Sequence, residues 1–159
     1  MNVDRRGVTL IEMLIVVMII GLIAGVSFPA VSSGLDSLRL ASASDSLVSF
    51  LNAGLNRAER RQEGVEVAIS IHDSSLTLTS PSLSRRLEMP SGVTIRQVWP
   101  QLPEPSVGPR VFLLFPGGTV PRIGIELVNQ RGVRRIVRVN PMTGVPEIER
   151  VPADAEAAP

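Results

Sequence analysis

The sequence predicts an α+β chain: a long N-terminal α-helix, membrane-spanning in its first half and amphipathic in its second, packed on a C-terminal antiparallel β-sheet domain. Three observations predict it. From Met13 to Val31 run 19 residues among which Ser27 is the only clearly polar one. From Leu35 to Ala58 apolar residues recur at three- and four-residue spacing. Beyond Gly64 the repeat drops to period two, the signature of strands with one face covered.

The apolar run is about 28 Å long as a helix at roughly 1.5 Å per residue, close to the hydrocarbon thickness of a bilayer. It is longer than the core of an ordinary secretory signal. Arg5 and Arg6 precede it, which places the N-terminus in the cytoplasm and the rest outside. A membrane anchor at 8–31 explains the length, but not Glu12 at its head. A carboxylate beside such a run is costly unless something pairs with it.

After Pro29 polarity rises, with Ser32, Ser33, Asp36, Ser37, Arg39, Ser42, Ser44 and Asp45. An apolar stripe of Leu35, Leu38, Ala41, Val48, Leu51, Leu55 and Ala58 persists, with a gap near Ser44 and Asp45. The spacing predicts an amphipathic stem over 32–63, continuous with the anchor, so that one helix runs from about Thr9 to about Arg61. Pro29 removes one backbone bond and should bend it, Gly34 and Gly54 weaken it, and Gly64 ends it.

A β domain is expected over 64–150. Val65, Val67, Ile69 and Ile71 alternate with Glu66, Ala68 and Ser70; His72 to Ser75 is a turn; Leu76 to Thr79 returns. Gly92 to Trp99 is a further strand, and the prolines between Pro100 and Pro109 mark a loop. Val111 to Phe115 is a strand before the Pro116-Gly117-Gly118 turn. Gly124 to Val128 and Arg134 to Val139 pair across Asn129-Gln130-Arg131-Gly132, and Val145 to Ile148 is a last short strand. Residues 151–159 read as a flexible tail.

Composition excludes several function classes. The 159 residues carry a formal net charge of +1, all 16 basic residues are Arg, and Cys and Tyr are absent. No disulfide or thiolate metal site can form. A single tryptophan, Trp99, provides no aromatic platform for single-stranded nucleic acid. His72 stands beside Asp73 and several serines, but sequence neighbours in a turn do not make a catalytic triad. Gly117-Gly118 reads as a tight turn rather than a phosphate loop, and the carboxylates show no EF-hand spacing. No cofactor, no metal and no enzymatic activity is expected.

The residues Gly7-Val8-Thr9-Leu10-Ile11-Glu12, a short basic leader followed by an apolar helix, resemble the class III signal of type IV pilins and type II secretion pseudopilins. Gly21 and Pro29 fall where that family has a helix-softening Gly and Pro, while Val8 stands where it usually has Phe. The resemblance implies that 1–7 is a leader cut between Gly7 and Val8 by a prepilin peptidase on the cytoplasmic face, with N-methylation of Val8. It also implies an answer for Glu12. In a helical filament the new ammonium of one subunit can meet the Glu12 carboxylate of a neighbour, which recovers much of the burial cost and sets axial register. Pairing of Glu12 with its own N-terminus is the other possibility.

The segment FLLFPGGTVPRIGIELVNQRGVRRIVRVNPMTGVPEI resembles the C-terminal pattern of the GspH/FimT branch: a Phe-x-x-x-Gly turn, a strand pair around a Gly- and Arg-containing hairpin, then Ile-Val-x-Val-x-Pro-x-Thr-Gly. The implied fold is pilin-like. The implied function is a minor pseudopilin of a type II secretion system in the inner membrane, its C-terminal domain periplasmic. Its implied partners are other pseudopilins or pilins, the prepilin peptidase, the inner-membrane assembly platform, membrane lipid and secreted cargo. The calcium-binding loop of major pseudopilins is not recognisable, which points away from the major subunit. The alternative is a FimT-like minor pilin binding DNA. Between Arg110 and Val145 stand six arginines against one acid, Glu126, and the hairpin arginines Arg131, Arg134, Arg135 and Arg138 could hold phosphates. A solvated strand face balanced by the acidic tail is the plainer reading of the same residues.

Overall fold

The computed structural model describes residues 9–102 and 108–151, with the side chains of 26–33 left aside. It divides into two compact units, 1–35 and 36–159. Helix α1, Leu10–Arg61, runs through both. Eight strands follow: β1 (Val65–Ser70), β2 (Ser75–Ser80), β3 (Leu83–Glu88), β4 (Val93–Trp99), β5 (Arg110–Leu114), β6 (Gly124–Asn129), β7 (Arg134–Val139) and β8 (Pro146–Val151). The fold is α+β and pilin-like, the helix packed on antiparallel sheets.

In the first unit the helix starts with a cap. Thr9 Oγ1 accepts the Glu12 amide at 3.3 Å, satisfying one of the amides that a helix start leaves open. Every large apolar side chain from Leu10 to Ile23 is at least 45% exposed. The helix assignment continues through Pro29, but the bend expected there falls on side chains outside the description. Residues 1–8 and 152–159 also lie outside it, so the leader and most of the tail are not described; Val151 closes β8.

In the second unit all strand pairs are antiparallel, and the sheet orders are β3-β2-β1-β5 and β4-β6-β7-β8. One core joins helix and sheets. Val65, Val67, Ile69, Leu76, Leu78 and Leu114 come from the first sheet, and Val93, Ile95, Val98, Ile125, Leu127, Val137 and Val139 from the second. In β4 the alternation breaks between Ile95 and Gln97, where the pairing with β6 shifts. This bulge lets Ile95 and Val98, three apart, both face inward.

The buried helix face differs from the expected stripe. It is Leu40, Ala43, Ser44, Leu47, Phe50, Leu51 and Ala58, with Gly54 in the same line, while Leu35 and Leu38 are exposed. The gap at Ser44 is not a gap. Its side chain is fully buried, and Oγ donates to the Leu40 carbonyl at 2.8 Å, so the hydroxyl needs no water. A Cβ on Gly54 would stand 2.8 Å from Leu78 Cδ1 and 3.3 Å from Leu114 Cδ1; the missing side chain lets helix and sheet approach.

The helix ends three residues before Gly64. Gln62, at φ 52°, takes the left-handed position that usually falls to glycine, and its Nε2 donates to the Glu59 carbonyl at 2.6 Å. Two ties hold this end. Arg57 pairs with Glu63 at 2.7 Å and donates to Ser80 at the end of β2 and to Ser82 in the β2–β3 turn. Glu59 accepts the Gly117 amide at 2.9 Å.

Strand β3 has no counterpart among the strands that the sequence predicts. Its burial is that of an exposed strand at every position but Leu87, so no covered face imposes an apolar alternation on its sequence.

Candidate assembly site

The residues implied for assembly separate into those described and those not. Gly7 and Val8 lie outside the described residues. Glu12 is exposed, in the first turn of α1, where a carboxylate is favoured by the helix dipole. Thr9 and Glu12 stand in the T-x-x-E spacing of a capping box, a local role beyond those the sequence predicts, although its spacing is visible there. Gly21 has open space around the position a Cβ would take, as do Gly25 and Gly34. The site is therefore a bare apolar helix surface with one acid at its head. Among the described residues no helix is long and apolar enough to cross a membrane.

The arginine hairpin of the second unit is built around Asn129. Its Oδ1 accepts the amides of Arg131 and Val133 at 3.0 and 2.9 Å, and Gly132, at φ 79°, makes the turn. Three of the four arginines are bound to acids. Arg131 Nε lies 3.0 Å from Asp36 Oδ2, Arg134 Nη1 lies 3.7 Å from Glu126 Oε1, and Arg138 Nε lies 3.2 Å from Glu149 Oε2. Arg138 also lies over the Trp99 ring, 5.4 Å from its centroid. Arg135 is half-buried and, among the described residues, makes no ion pair; the pleat puts it on the face of Val137 and Val139, away from Arg134 and Arg138. The hairpin is a chain of local ion pairs, not a field of unpaired charge.

Of these pairs, Glu126 with Arg134 is the buried one. Glu126 is 1% exposed and the Arg134 side chain 11%. Neither Glu126 oxygen accepts a hydrogen bond among the described residues, so the guanidinium charge is its compensation.

The turn with the sole histidine shows no triad. Asp73 accepts a hydrogen bond from Ser70 Oγ at 2.9 Å, and His72 is exposed. Among the described residues no cluster of His, Asp and Glu could hold a metal ion.

Residues 3–28 match the family model of the prokaryotic N-terminal methylation motif. No curated protein matches the sequence. Among solved structures, the fold is similar to that of the minor pseudopilin EpsH from the type 2 secretion system of Vibrio cholerae, with a TM-score of 0.54 and 12% identity, covering 70% of this chain and 97% of that one. The chain thus joins an N-terminal methylation motif at the head of its helix to a helix-on-sheets domain of pilin-like fold.

Proposed function

We propose that the chain is a non-enzymatic minor pseudopilin of the GspH/FimT branch, a structural subunit of a periplasmic pseudopilus that helps a type II secretion system export folded proteins. The observation that carries this reading is the methylation motif over residues 3–28, set at the head of a helix whose apolar side chains are uncovered. Such a surface needs a bilayer or the core of a helical filament. The subunit waits in the inner membrane, loses residues 1–7 to the prepilin peptidase, is methylated at Val8, and is drawn into the filament by the assembly platform. Gly21 and Pro29 soften the helix, and its open small-residue positions suit close packing between helices. The Glu12 carboxylate meets the Val8 ammonium of a neighbour, which fixes the stagger. The β domain faces other pseudopilins or cargo.

Mass spectrometry of the protein from its native membrane tests the processing step. The expected N-terminus is methylated Val8, and a mature chain starting at Met1 overturns the reading. The alternative, a minor pilin that binds DNA through Arg131, Arg134, Arg135 and Arg138, has to break or share three ion pairs. Gel retardation of the 36–159 fragment at low salt separates the two readings.

A further inference from the structure

The open edge of the first sheet carries an inference that does not rest on the filament reading. Among the described residues strand β3 ends that sheet, and backbone groups on its outer edge can template another strand. Their direction follows from the ladder. Met89 N donates to Ser74 O at 3.0 Å, one step beyond the Glu88–Ser75 pair of the β2–β3 register. Antiparallel bonds use alternate residues. Leu83, Arg85 and Leu87 therefore turn their amides and carbonyls toward β2, and Ser84, Arg86 and Glu88 turn theirs outward.

We propose that β3 pairs antiparallel with β3 of a second copy of this chain, about a two-fold axis at Leu87. Outward residues must face outward residues, so the axis passes through a residue and not between two. An axis at Arg85 or Arg86 sets two arginines against each other, and one at Glu88 sets two glutamates. An axis at Ser84 brings no charges together. At Leu87, Arg86 faces Glu88 of the second copy, Glu88 faces its Arg86, and leucine meets leucine. Opposite charges directly across a ladder attract, and like charges repel. A charged edge can also serve as a guard against pairing. A guard requires only repulsion, whereas Arg86-Leu87-Glu88 is self-complementary about its centre, as an isologous contact demands. Arg86 and Glu88 already show their reach for each other along the strand, at 3.0 Å and both more than half exposed. On the core side Leu87 lines a groove of about 570 Å³ with Leu38 and Phe50, among serines, Asp45, Arg85 and Arg86, so the leucine pair would sit against a surface that is apolar only in part.

The full chain in detergent micelles tests this. It has no cysteine, so Leu87→Cys supplies the sole thiol. At the axis the two Cα atoms come within about 4.5 Å, inside the disulfide range of about 4.4–6.8 Å. Mild oxidation should yield covalent dimer. In the same register two Ser84 residues lie about 20 Å apart at roughly 3.3 Å per residue, so Ser84→Cys should not cross-link. Adding Arg86→Glu or Glu88→Arg to Leu87→Cys should lower the dimer yield about tenfold. An equimolar mixture of those two charge variants should restore it, because each then faces its opposite. No dimer from Leu87→Cys, equal dimer from Ser84→Cys, indifference to charge reversal, or failure of the mixture to recover each overturns the pairing. Equal yield at both positions is also what contact through the apolar helix would produce.

Discussion

Replacing Arg134 by Met removes the charge that, among the described residues, compensates Glu126, and the structure sets the scale of the effect. Glu126 is 1% exposed, in the interior strand β6, with the guanidinium 3.7 Å away. Stranding a buried carboxylate costs about 3–5 kcal/mol, a large part of a domain stability of about 5–15 kcal/mol. The reverse change, Glu126→Gln, leaves a guanidinium that still reaches water through its 11% exposure, so its cost should be smaller, about 1–2 kcal/mol. Arg134 has a further interaction of its own, so the pair is isolated by a double-mutant cycle, with Glu126→Gln/Arg134→Met as the fourth corner; Glu126→Leu/Arg134→Met is a separate variant. Replacing both charges with apolar groups should come within about 1 kcal/mol of the wild type. The assay is urea unfolding of the 36–159 fragment, which contains the whole buried core. With a slope of about 2 kcal/mol per molar, Arg134→Met should lower the midpoint by about 1.5–2.5 M. A loss below about 1 kcal/mol for Arg134→Met, or strictly additive single changes, would refute the claim that the guanidinium is what makes this burial tolerable.

Three further predictions follow from the packing and the helix start. Glu12→Gln keeps a side chain that fits the capping box but has no charge, whereas Thr9→Ala removes the cap, worth about 1 kcal/mol. If register depends on the carboxylate, Glu12→Gln abolishes incorporation into filaments purified from cells and Thr9→Ala does not. Gly54→Val drives branched carbon into Leu78 and Leu114, both within 3.3 Å of the added Cβ; overpacking should cost about 1–3 kcal/mol, measured as a fall in the thermal midpoint of the fragment. Arg135→Glu changes the one hairpin arginine without an ion pair among the described residues. If DNA retardation occurs at all and is unchanged by Arg135→Glu, that arginine is not part of the contact.

The long helix and most strands are legible in the sequence because each has a covered face. β1 reads through Val65, Val67 and Ile69, and β7 keeps the expected bounds because Val137 and Val139 fill the core. Where burial does not follow hydrophobicity, the reading slips. Ser44 and Gly54 hide the true stripe: one is a hydroxyl satisfied within its own helix, the other a residue chosen for its lack of side chain. Gln62 conceals the helix end, since a non-glycine residue in the left-handed region leaves no trace in composition. β3 is exposed, so its sequence carries no periodic constraint. The arginine hairpin reads as basic because its acids lie far along the chain, Asp36 above all, and only folding brings them to Arg131. The motif ahead of the helix was the most readable part, because it depends on residue identity at fixed spacing and not on packing.

The sheet orders have one more consequence. β4 crosses to the second sheet before β5 returns to close the first, so the two sheets are laced through each other. A chain cut after Leu114 would hold β4 with no strand beside it, although four strands of the first sheet were present. The first sheet has all its strands by Leu114, but β4 stays unpartnered until β6 arrives, so the domain reaches its final state only once its last third has been delivered.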